Sequence, residues 1–78
     1  MRTQVLQRVF SSRLTDGSHV WRFDVERAPS EGWRIREERD ATVVRQVTYE
    51  DWHRVELAIR GFAIEAAELT RRGWRRLH

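Results

Sequence analysis

The chain has 78 residues, 35% of them charged, with 15 basic and 12 acidic side chains and no cysteine. That length accommodates one domain and not two, and the absence of cysteine excludes disulfides and thiolate metal sites. No run of about 18 apolar residues exists to span a bilayer, and no leading window has the apolar core of a secretory signal, so the expected setting is the cytoplasm with no membrane partner.

In chain order, the first segment is ambiguous. Val5, Leu6, Val9, Phe10 and Leu14 fall at helical spacing. The Asp16-Gly17 pair that follows is a hairpin signal and needs an extended partner on its N-terminal side. A strand over residues 3–14, with room for a bulge, is therefore expected. Over 19–27 the pattern is plainer: Trp21, Phe23 and Val25 alternate with Arg22, Asp24 and Glu26, which is one buried and one wet face. Pro29 to Gly32 has turn chemistry. Beyond it Trp33 and Ile35 alternate with Arg34 and Arg36 in a third strand over 33–39. The β-branched run 42–47 supplies a fourth, closing a hairpin over Asp40-Ala41.

From Thr48 the period becomes helical. Thr48-Tyr49-Glu50-Asp51 resembles a capping box, and Trp52, Val55, Ile59, Phe62, Ala66 and Leu69 recur at steps of three and four. This predicts a helix over about 49–72. Gly73 sits at the position of a left-handed cap, with Trp74 placed to fold back onto Leu69. Gly61 inside the helix costs roughly 1 kcal/mol relative to Ala, which suggests close approach of a ring or a second backbone. The fold class is thus α+β: a four-stranded antiparallel sheet of two hairpins, then one long amphipathic helix packed on it, as a single domain ending in a basic tail over 73–78.

Such a helix would be about 35 Å long, against about 20–23 Å for strands of six or seven residues. An overhanging apolar stripe follows from that mismatch. A homodimer or a protein partner covering Trp52, Val55, Ile59, Phe62, Ala66 and Leu69 is the expectation it generates.

Every basic residue is Arg, which fits phosphate binding and equally a high-GC coding sequence. Residues 1–15 carry Arg2, Arg8 and Arg13 and no acid. Residues 71–78 carry Arg71, Arg72, Arg75 and Arg76 and no acid, while residues 16–70 are net negative. Four arginines around Trp74 combine charge for phosphates with a ring that can stack on a base. Arg71 and Arg72 also complement the helix dipole, and Trp74 also serves the cap. The candidate nucleic-acid-binding set is Arg2, Arg8, Arg13, Arg71, Arg72, Trp74, Arg75 and Arg76. On the polar sheet face, mixed charges suggest cross-strand ion-pair ladders.

Catalysis finds no pattern to stand on. The serines lie in strand or turn contexts, outside any nucleophile elbow. His19, His53 and His78 are scattered with no metal-ligand spacing, the carboxylate pairs interleave with Arg, and the four glycines form no phosphate loop. A non-enzymatic protein without metal or cofactor is expected. Its element order resembles that of the Whirly and transcriptional-coactivator single-strand DNA-binding domains. The resemblance implies a sheet-and-helix dimer on nucleic acid and transfers no site residue. The expected function is a small nucleic-acid-binding accessory protein. The alternative is a protein–protein module or small regulator, including a phage-type inhibitor, acting through the helix stripe or the acidic middle.

Overall fold

A computed structural model describes residues 7–77. Four long strands, β1 (Gln7–Thr15), β2 (Val20–Ala28), β3 (Gly32–Arg39) and β4 (Thr42–Tyr49), precede one helix, α1 (Trp52–Arg71), and a short final strand, β5 (Arg75–Leu77). All pairings are antiparallel, in the order β4-β3-β2-β1-β5. The α+β class, the sheet of hairpins and the single packed helix follow the sequence pattern. Residues 3–6 of the expected first strand lie outside the described residues. The bulge it left room for falls at Val9, between the pairs Arg8–Glu26 and Phe10–Val25.

Three boundaries differ from expectation. Residues 48 and 49 stay in the sheet, because Thr48 pairs with Arg34 and Tyr49 with Trp33. The helix therefore starts later than the capping-box pattern suggested, and its cap is Asp51, whose side chain accepts from the His53 N–H. The third difference is the tail, discussed below. With 20 residues α1 is about 30 Å long, and the nine-residue strands β1 and β2 reach about the same. The length mismatch from which an overhang was expected is therefore not present.

The core explains why period two and period 3.6 meet where they do. Leu14, Trp21, Phe23, Val25 and Ile35 from one sheet face are buried with Val55, Phe62 and Ala66 of α1. Phe62 is the hub: its ring stacks on Phe23 at 4.2 Å and meets Trp21 at 4.7 Å and Phe10 at 5.9 Å. Trp33 and Trp52 close the helix N-terminal end, their rings 5.3 Å apart. At the other end Gly73, at φ 100°, turns the chain. Trp74 N–H donates to Leu69 C=O and Gly73 N–H to Thr70 C=O, the double bond pattern of a Schellman cap.

Gly61 does not have the neighbour expected of it: a Cβ there would meet nothing within 4 Å. Gly32 does, since its Cβ would run into the Tyr49 carbonyl. Among the described residues no helix is long and apolar enough to cross a membrane.

Candidate functional site

The Schellman cap decides where the tail goes. By reversing the chain after Arg72 it delivers Arg75–Leu77 to the free side of β1, where Arg75, Arg76 and Leu77 stand opposite Thr15, Leu14 and Arg13. The tail is thus an edge strand rather than a free basic extension. It brings the two basic ends of the sequence together.

Next to this junction is a depression of about 490 Å³ lined by Arg8, Ser11, Ser12, Arg13, Arg22 and Arg76, with Leu77 at its side. Alternation places Arg13 opposite Arg22 and Ser11 opposite Asp24 on the sheet face turned away from α1, while Leu14 and Trp21, one step along, are buried under the helix; Arg76 stands opposite Leu14, at the sheet's edge. Asp24, beside two of the lining residues, is only 3% exposed. It is already engaged: Ser11 Oγ donates to Oδ1 at 2.6 Å and Arg22 Nε lies 2.7 Å from Oδ2. A buried carboxylate held this way satisfies its own desolvation demand. It also holds the guanidinium of Arg22, a residue that lines the depression.

The predicted basic residues thus divide. Arg8, Arg13 and Arg76 converge. Arg75 pairs with Thr15 on the same edge and is exposed. Arg71 and Arg72 stand apart on the helix end, 3.2 and 3.6 Å from the Glu68 carboxylate. Trp74 is half-buried at the core margin and lines a different recess, with Leu69, Trp21, His19, Val20 and Arg39. Arg2 lies outside the described residues. Sequence reasoning left out Arg22, Ser11 and Asp24. Arg22 and Asp24 had been noted only as alternating polar residues, and the register that gathers them is a tertiary fact.

Two ion pairs are seen on the polar face among the described residues. They run along single strands, Arg22 with Asp24 and Arg36 with Glu38, the latter at 3.2 Å. Arg39 and Glu37 pair the same way on the helix side, at 3.8 Å.

A second concavity, about 610 Å³, lies between α1 and the β3–β4 half of the sheet. Leu57, Ala58 and Gly61 form one wall, and Glu37, Arg45 and Tyr49 face them. Glu37 is anchored there by the Trp21 Nε1–H, which donates to it at 2.6 Å. Of the predicted interface stripe, Val55, Phe62 and Ala66 are buried against their own sheet, Ile59 and Leu69 are half-buried, and Trp52 is exposed. The more exposed apolar residues of the helix are Leu57 and Ile64, off that stripe. Among the described residues no group of His, Cys, Asp or Glu is arranged to hold a metal ion.

Compared with known proteins, the chain matches no protein-family model, no curated protein and no solved structure.

Proposed function

We propose that this chain is a non-enzymatic accessory domain that binds nucleic acid through its phosphate backbone, using the β1–β2–β5 side of the sheet. The observation that carries the reading is the gathering of Arg8, Arg13, Arg22 and Arg76 from three strands around one depression. The neighbouring buried acid, Asp24, is held by Ser11 and Arg22. Guanidinium groups in this density suit phosphate oxygens, with which they form bidentate hydrogen bonds.

No aromatic side chain lines the depression. Base stacking, the usual grip on single strands, has no platform there. The reading is therefore of a sequence-neutral backbone binder that favours duplex over single strand. Fluorescence anisotropy of labelled duplex, single-stranded DNA and RNA at about 50 and 200 mM salt tests it, because backbone binding falls steeply as salt rises. No duplex binding at the lower salt would retire it.

The groove beside Leu57 and Gly61, with Trp52 exposed at the helix start, favours a second reading as a protein-binding module. Under that reading, nucleic acid fails to bind while substitution of Leu57 by Asp abolishes capture of the protein partner.

A further inference from the structure

Strand β4 ends the sheet, and among the described residues no strand pairs with the outer edge of Thr42–Tyr49. The opposite edge is different, since β5 covers part of β1. Sheet edges left this long are commonly blunted by proline, lysine or inward-pointing charge. Thr42-Val43-Val44-Arg45-Gln46-Val47-Thr48-Tyr49 has one charge and no proline, and both Val43 and Val44 are exposed. Its blunting devices are Arg45, which lines the concavity under α1, and a bulge at Val44 between the pairs Glu38–Val43 and Glu37–Arg45. The segment from Arg45 to Tyr49 beyond it is regular.

We propose that this edge is an interface for a second copy of the chain, the two β4 strands pairing antiparallel about a two-fold axis at Val47. Symmetry limits the choices. In such a pair, facing residues must point to the same side of both sheets, so their positions differ by an even step. Centring on Arg45 sets that cation against itself, and centring on Gln46 forces the bulged Val44 into the ladder. Centring on Val47 uses only the regular segment. Val47 then faces its own copy, Gln46 faces Thr48, and Arg45 faces Tyr49.

Charge supports the same register. Arg45 arrives beside Tyr49-Glu50-Asp51 of the other copy, a basic group against two exposed carboxylates. Neither Arg45 nor Glu50 has an ion-pair partner among the described residues. The interface lies on the far side of the sheet from the basic depression, so it stands or falls independently of nucleic-acid binding.

The chain has no native cysteine, which makes a cross-linking test clean. On the axis, Cα atoms of an antiparallel pair are about 4.5–5.5 Å apart, inside the range a disulfide bridges. Val47→Cys should oxidise to a covalent dimer, while Ile64→Cys, on the exposed helix face, should not. By sedimentation equilibrium the parent chain should be dimeric below about 100 μM, and Arg45→Glu should weaken dimerisation at least about tenfold through repulsion by Glu50 and Asp51. A parent chain monomeric throughout that range overturns the proposal. So does cross-linking through Cys at position 64 in place of 47, or an Arg45→Glu protein that remains folded by circular dichroism and dimerises as before.

Discussion

Leu14 and Arg76 stand directly opposite each other across an antiparallel ladder, one from the first described strand and one from the last. The pairing makes the C-terminal segment part of the sheet. Ending the chain after Trp74 should lower stability by on the order of 1–3 kcal/mol, from lost ladder hydrogen bonds at about 1 kcal/mol each. Duplex affinity should fall in the same protein, because Arg76 leaves the depression. Thermal denaturation and anisotropy measure the two effects; an unchanged melting temperature would show that the edge strand is not docked in solution.

Arginines in the depression and arginines on the helix end should behave differently. Replacing Arg13 and Arg22 with Ala should weaken duplex binding and reduce the salt slope by about 1 for each arginine that touches a phosphate. Replacing Arg71 and Arg72, which lie on the helix end outside the depression, should leave both near the parent values. Equal loss from the two pairs would mean that net charge alone, not the depression, drives binding.

Three backbone positions give opposite signs on stability. Gly61→Ala should stabilise by about 1 kcal/mol, since the helix gains propensity and the added methyl meets nothing. Ala41→Gly should also stabilise by about 1 kcal/mol, because Ala41 holds φ 66° in the β3–β4 turn and a left-handed backbone is costly for any residue with a Cβ. Gly32→Ala should do the reverse, driving a Cβ against the Tyr49 carbonyl at the sheet's end. Chemical denaturation of the three variants checks the signs.

Removing the aromatic hub should be close to fatal. Phe62→Ala should cost about 3–5 kcal/mol, comparable to the whole stability of a domain this small. It withdraws contacts to Phe10, Trp21 and Phe23 at once. Loss of the cooperative unfolding transition is the expected result.

The two turns at one end of the sheet are clipped by His19, whose Nδ1 lies 2.9 Å from Asp40 Oδ2. The hydrogen bond to Asp40, then the charges of Asp40 and Asp16, raise the His19 pKa above its ordinary 6.5. The Val20 N–H, then His19, lower that of Asp40 below 3.8. The N–H groups of His19 and Ser18 do the same for Asp16. Being raised, the histidine contributes stability fully below pH 6.5 and loses it as pH rises through the folded value. Being lowered, the aspartates contribute above 3.8 and lose it as pH falls through theirs. Stability should therefore peak between about pH 4 and 6.5. Asp40→Asn should remove most of the decline on the alkaline side, as melting temperature against pH will show.

The four long strands and the helix were legible because each is a local pattern. Alternation at Trp21, Phe23 and Val25 reports a half-buried strand, and the steps of three and four from Trp52 to Leu69 report a helix face. Gly73 with Trp74 announced the cap for the same reason, since a Schellman motif is built from neighbours. Strand–helix boundaries were less legible. Tyr49 is held in the sheet by Trp33, a partner no window around residue 49 contains.

The sequence by itself determined the fold class, the order of the four long strands and the helix, and the charge balance, with basic ends and an acidic middle. Local backbone chemistry and hydrophobic period are sufficient for those. Only the tertiary structure decided that Arg8, Arg13, Arg22 and Arg76 share one depression, that Asp24 is buried and engaged beside it, and that Trp74 faces the core margin instead. The physical reason is register. Which residues meet across a ladder depends on how distant strands align, and one step of slip would turn every one of these side chains to the other face.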